Sequence, residues 1–181
     1  MNKYEDKEIR GQYRRIIRYL KRWKDINFSA VGNSKPPGIG LTMLAYEKFK
    51  PQKYDSLEMK YKFDDMQALK CLLRDVILMF IPTEYSMEEN ELHYKIECHL
   101  PVKPYTDVFC KMSSKSMTKM KKKLEKMLIT LEEVEKEVDV IEQCKLLNKL
   151  FGADFHIPSV EEESKTQMSF VPPSSISGGK V

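Results

Sequence analysis

The sequence predicts a mainly α protein, a helical, bundle-like domain with room for one small β-hairpin. Three observations predict it. Apolar residues recur every three or four positions through several long segments, the period of one helix face. Charged residues make up 32% of the 181 and hydrophobic ones 41%, as expected of helices with a modest buried stripe and a heavily charged outer face. Seven glycines in the whole chain leave no glycine-rich scaffold.

The first helix is expected over about Asp6 to Ile26, with Ile9, Tyr13, Ile16, Ile17, Leu20 and Trp23 on one face. At 100° per residue, Arg10, Arg14, Arg18 and Lys21 share the adjoining face, with Lys24 on the border. From Met1 to Lys24 there are nine basic residues against three acidic ones, a local +6 that exceeds the +4 of the whole chain. A turn-rich loop follows from Ser29 to Gly38, punctuated by Pro36 and Pro37. Ile39, Leu41, Met43, Leu44 and Ala45 then predict a short, deeply buried helix ending near Phe49. Pro51 to Lys60 reads as polar and irregular.

Asp64 or Asp65 starts the third helix as a cap, with Met66, Leu69, Leu73, Val76, Ile77 and Phe80 as its stripe and Pro82 as its end. Leu92, Tyr94, Ile96, Cys98 and Leu100 alternate with polar residues, the pattern of a strand. Its hairpin partner would lie around Phe80 to Ser86. After a second proline loop, Pro101 to Asp107, a long helix is expected from about Ser116 to Lys136. Its first half is basic and its second half acidic, the order that the helix dipole disfavours. Asp139 with Glu142 resembles a capping box opening a last helix to Phe151, and Gly152 is a natural stop. Residues 1–158 thus form one helical domain, and 159–181, rich in Glu, Ser, Pro and Gly, read as a disordered tail.

Composition narrows function only by exclusion. No apolar run reaches the roughly 20 residues that span a bilayer, and the first residues lack the apolar segment of a secretory signal. Cys71, Cys98, Cys110 and Cys144 form no CxxC pair, and His93, His99 and His156 stand at no zinc spacing. They read as reduced, mostly buried thiols in a cytoplasmic protein. P-loop, GxGxxG, HExxH and GxSxG motifs are absent from the sequence. Asp64-Asp65 reads as a cap, and Glu137-x-Asp139 lies at a break between helices. The cationic face of the first helix remains. It is either an ordinary solvated face or a wall for phosphates, which Arg and Lys neutralise well.

Four blocks carry a resemblance. They are Gln12–Asp25, which contains Arg18-Tyr19-Leu20-Lys21-Arg22-Trp23; Lys35-Pro36-Pro37-Gly38-Ile39-Gly40-Leu41-Thr42; Leu100–Phe109; and Cys144–Pro158. In this order they resemble the helical half of bacterial cyclic-oligonucleotide synthases. That family of nucleotidyltransferases is related to animal cyclic GMP-AMP synthase and oligoadenylate synthase and acts in antiviral signalling. The resemblance covers about Tyr4 to Pro158. It implies a C-terminal helical lobe that closes one side of a cleft for NTPs.

The family's catalytic lobe carries a Gly-Ser turn and a pair of acidic residues that hold two magnesium ions. Here the nearest such turn is Gly32-Asn33-Ser34, and no D-x-D follows. The resemblance therefore implies the C-terminal half alone, as a truncated or split product, with the catalytic lobe as a missing partner. Catalysis by this polypeptide on its own is not expected, and no cofactor is assigned to it; NTP and Mg2+ belong to an intact member. By resemblance Lys21 touches the donor triphosphate, Ser34 and Lys35 assist at the start of the second helix, and Tyr105 and Asp107 lie near a nucleotide base. Some relatives are attached to targets through the C-terminus by a ubiquitin-transfer-like enzyme. Ser177-Gly178-Gly179-Lys180-Val181 would need trimming before such a conjugation. The alternative is a free-standing helical module whose basic face contacts nucleic acid or protein.

Overall fold

The computed structural model describes residues 4, 6–29, 34–51, 53–55, 61–153, 155 and 157. Among them the protein is mainly helical. The order is α1 (Lys7–Asn27), α2 (Gly38–Lys48), β1 (Lys53–Asp55), β2 (Tyr61–Phe63), α3 (Asp65–Ile77), β3 (Ile81–Ser86), β4 (Glu91–Lys95), α4 (Ser114–Lys136) and α5 (Val140–Phe151). None of these helices is long and apolar enough to cross a membrane. The expected tail, 159–181, lies outside the described residues.

Four of the five helices described begin where a side chain satisfies their open amides, and α2, behind Pro37, is the exception. Asp6 accepts from Glu8 and Ile9 N–H, Asp64 from Gln67, Ser113 from Ser116, and Asp139 from Ile141 and Glu142. The capping box at Asp139 is only half made. Glu142 reaches Lys145 at 2.6 Å, and Glu137 Oε1 accepts the Asp139 N–H at 3.0 Å in its place. Gly152 ends α5 at φ +88°, and a Cβ there would stand 2.6 Å from Ile26 Cδ1.

One continuous core joins the helices. Ile16, Leu20 and Trp23 of α1 meet Leu41 and Leu44 of α2, Leu69, Leu72 and Leu73 of α3, and Met120, Leu124, Met127 and Leu131 of α4. Burying each such side chain is worth about 1.5–3 kcal/mol. α4 packs on α3, α5 and β4, while α1 packs on α2, α3 and α5.

Two hairpins stand where the sequence predicts at most one. The segment read as irregular after Pro51 holds β1, which pairs antiparallel with β2 in the register Lys53↔Phe63, Tyr54↔Lys62 and Asp55↔Tyr61. Three-residue strands are too short to show a period. The hairpin of β3 with β4 matches the expected partner around Phe80 to Ser86, but β4 stops at Lys95. Beyond it Ile96 and Cys98 are buried without a ladder, and only His99 bridges, to Asp107. The facing also differs from the alternation, because His93 is buried while Leu92 is exposed. The outer edge of β4 lies against α4. Tyr94 N–H donates to Thr118 Oγ1 at 2.8 Å and Ile96 N–H to Met117 Sδ at 3.4 Å. Among the described residues β3 carries the unpaired edge of this sheet, which suits Pro82.

Two burial expectations are corrected. Ile39 is 52% exposed, because α2 turns its first residues away from the core. Of the four thiols only Cys98 is buried; Cys71 and Cys144 are half-buried and Cys110 is exposed.

The reversed charge order of α4 has a tertiary cause. Its basic half pairs with the acidic hairpin, Lys115 with Glu89 and Lys122 with Glu91. Its acidic half pairs with α3, Glu132 with Arg74 and Glu135 with Lys70. These partners outweigh the few tenths of a kcal/mol that the dipole would favour at exposed helix ends.

Candidate phosphate-binding face

The cations of α1 separate into two groups. Those beside the buried stripe of Gln12, Ile16, Leu20 and Trp23 are tied into the fold. Arg15 grips Asp65, and Arg22 Nε donates to the Phe151 carbonyl at 2.7 Å. Lys24 and Lys35 both reach Asp25 Oδ1, at 3.3 and 2.9 Å. Lys35 first, and Lys24 after it, hold the Asp25 carboxyl below its ordinary value. Arg14, Arg18 and Lys21, on the outer face, are exposed, and among the described residues they form no ion pair. Arg10 continues the strip and is half-buried.

Lys21 lies one helical turn before Asp25, so the bridge from Lys35 to Asp25 draws both expected lysines to the same end of α1. Ser34, half-buried, precedes Lys35 directly. α2 begins here, with Pro37 at its cap position, no side-chain capping bond and no acidic residue in its first turn. Its first intrahelical bond is Leu41 N–H to the Pro37 carbonyl, which leaves the amides of Gly38, Ile39 and Gly40 without a helical acceptor. A Cβ on Gly38 would stand 3.6 Å from Lys24 Nζ. Positive side chains and a positive helix end thus converge, the arrangement that favours an anion.

The second proline loop reaches this region through Phe109. Its buried ring packs so closely on Gly40 that a Cβ there would stand 2.6 Å from Cζ. Asp107 sets the loop's shape, since its Oδ1 accepts from Cys98 N–H at 3.1 Å and from Phe109 N–H at 3.0 Å. Tyr105, at φ +57°, is 55% exposed. The structure thus ties Lys35 to Asp25, one turn after Lys21, with Ser34 next to Lys35 in the chain, Asp107 as a scaffold of its loop and Tyr105 on the surface. Asp25 is the organising residue that the sequence reading missed. The signal was present, because it is the carboxylate one turn after Lys21 in an otherwise cationic strip.

The carboxylate pairs have backbone and ion-pair partners. Asp64 caps α3 and Asp65 holds Arg15, while Glu137 Oε1 accepts two amides at the α4–α5 break. Among the described residues no group of three or more His, Cys, Asp or Glu side chains could hold a metal ion. No protein-family model matches this chain, and no curated protein matches it.

Proposed function

We propose that this chain is the helical lobe of a nucleotide second-messenger synthase and that α1 is the wall against which NTP phosphates lie. The observation that carries the reading is the exposed set of Arg14, Arg18 and Lys21, without an ion pair among the described residues, continued by Lys24 and Lys35 to the open start of α2. Four sequence blocks in the family's order support it. The NTP and Mg2+ would be completed by a separate catalytic lobe, which supplies the metal-binding carboxylates. Cytoplasmic action follows from the same reading.

Magnitudes decide what the lobe does alone. A unit charge pair at 4 Å is worth about 1 kcal/mol in water and about 4 kcal/mol where the effective dielectric constant is 20. Three open contacts then give about 3–4 kcal/mol, which is roughly millimolar affinity. Covering the strip with a second lobe makes the same contacts several-fold stronger. The isolated chain should bind ATP or GTP at roughly millimolar concentration, with amide shifts confined to α1 and the start of α2. Arg18→Ala/Lys21→Ala should remove those shifts. Shifts that survive that variant, or none at all, would return the strip to a solvated face.

A second reading is favoured by length. Arg10 to Lys21 extends about 16 Å along the helix, enough for several phosphates of a nucleic acid strand at about 3.4 Å each. Binding of single-stranded DNA whose affinity falls with salt along a slope of about three ions would support that reading over the NTP wall.

A further inference from the structure

Two surface cavities carry matched charges. One is lined by Glu47, Lys48, Lys50 and Asp75, with Lys50 and Asp75 2.8 Å apart. Another, beside β4, pairs Lys115 with Glu89 and Lys122 with Glu91. A cavity of about 500 Å³ between the end of α1, the middle of α4 and α5 differs. Lys123, Lys126 and Lys149 line it against one carboxylate, Glu133. Among the described residues none of these four forms an ion pair; the nearby pairs of α4 run through Glu125, Glu132 and Glu135.

Three ammonium groups around a concave, partly enclosed space repel one another and focus a positive potential into it. Lys123 is held there by neutral groups. It donates to the Asn27 carbonyl at 2.5 Å and lies over the Phe28 ring, 4.9 Å from the centroid. Among the described residues its charge therefore has no counter-ion. Thr130, one turn beyond Lys126, adds a hydroxyl, half-buried Leu146 is an apolar wall, and the buried side chains of Trp23 and Met127 lie behind the lining. The volume falls within the 300–1,000 Å³ typical of small-molecule sites, which combine an apolar lining with a few polar groups.

We infer that this cavity binds a small phosphate ester, with the phosphate among Lys123, Lys126 and Lys149 and the organic part against Leu146, next to the buried Trp23. The site is separate from the strip of Arg14, Arg18 and Lys21, because Trp23 faces the core on the opposite side of α1. It does not depend on the NTP-wall reading.

Trp23 is the only tryptophan of the chain, so its fluorescence reports on this cavity. The full chain is titrated with ADP, and with adenosine and inorganic phosphate in separate arms. ADP should change Trp23 emission saturably, adenosine should not, and phosphate should compete with ADP. In Lys126→Ala/Lys149→Ala the ADP affinity should fall at least ten-fold, and in Arg18→Ala/Lys21→Ala it should be unchanged. Glu133→Gln, which removes the one carboxylate, should tighten binding. Lys126 and Lys149 are exposed on helix surfaces, so circular dichroism should verify an unchanged fold in that double variant. The inference is overturned by a silent Trp23 at millimolar ADP, by an equal response to adenosine, by a response that survives loss of both lysines, or by one that vanishes with Arg18 and Lys21.

Discussion

The Arg15 guanidinium holds the Asp65 carboxylate at two points, Nε to Oδ2 at 2.5 Å and Nη2 to Oδ1 at 2.9 Å, and so ties α1 to the first turn of α3. Tyr19 adds its hydroxyl at 3.4 Å. The Asp65 hydrogen bond raises the Arg15 pKa further above its already high value. Both side chains keep some exposure, 43% and 22%, so solvent screens the pair. The forked geometry still places it at the upper end for surface pairs. A double-mutant cycle of Arg15→Ala and Asp65→Ala, read from urea midpoints, should give a coupling of about 1 kcal/mol. Arg15→Lys, which cannot fork, should retain less than half of it. A coupling near zero would mean that the helices dock without this pair.

Gly40 and Phe109 make the second prediction. Alanine normally improves a helix interior over glycine by about 1 kcal/mol. At Gly40 the added Cβ would meet the Phe109 ring at 2.6, 2.8 and 3.2 Å, and that ring is fully buried. Overpacking of this kind costs about 1–3 kcal/mol, which exceeds the propensity gain. Gly40→Ala should lower the melting temperature, and Phe109→Leu in the same chain should recover part of the loss. A Gly40→Ala protein more stable than its parent would show that the ring yields without cost.

Local signals carried most of the helical fold. Asp6, Asp64 and Asp139 mark helix starts because a cap acts within three residues, and Gly152 marks a stop for the same reason. The cationic strip of α1 was legible because helical period alone decides which residues share a face. What stayed hidden depends on partners distant in sequence. The charge order of α4 makes sense only beside Glu89, Glu91, Arg74 and Lys70. β1 and β2 are too short to signal a strand. Within the site, nothing local says that Arg15 and Arg22 are engaged while Arg14 and Arg18 are not, since Asp65 and Phe151 lie 50 and 129 residues away. Asp107 differs, because its partners are near in sequence. Its place in a proline loop fits a ligand contact, yet its carboxylate instead accepts the amides of Phe109, two residues on, and Cys98, nine residues back.

The thiols should separate sharply by reactivity. Cys98 is buried, its Sγ donates to Glu47 Oε1 at 3.4 Å, and burial, then Glu47, pushes its pKa up to about 12. Only thiolate reacts with iodoacetamide, so Cys98 should stay unmodified in native protein at pH 8 while exposed Cys110 is labelled. In unfolded chains the Cys98 thiol ionises near 9. Folding thus holds a proton that the unfolded chain releases, and this contribution to stability falls as pH rises from about 9 to about 12. Peptide mass spectrometry after brief labelling checks the order. Native labelling of Cys98 as fast as Cys110 would contradict the buried hydrogen-bonded thiol.

Lys70 and Glu135 give the last prediction. Lys70 is 2% exposed, and its ammonium meets Glu135 Oε2 at 2.6 Å, while the Glu135 side chain is 56% exposed. Removing the two partners is therefore not equivalent. Glu135→Gln leaves a buried ammonium without its carboxylate, at a cost of about 1–3 kcal/mol. Lys70→Met keeps the volume and removes the charge, so Lys70→Met/Glu135→Gln should be close to the parent or more stable. Acid should expose the same relationship. The hydrogen bond from Lys70, then its charge, holds the Glu135 pKa below the ordinary 4.5. A depressed folded value means that the pair's contribution is present above about 4.5 and is lost as pH falls through the folded value. Between pH 7 and pH 3, the melting temperature of the parent should fall toward that of Glu135→Gln, and its difference from the double variant should move in the double variant's favour. Parallel curves across that range, or a Glu135→Gln protein as stable as the double variant, would show that solvent already satisfies the Lys70 ammonium.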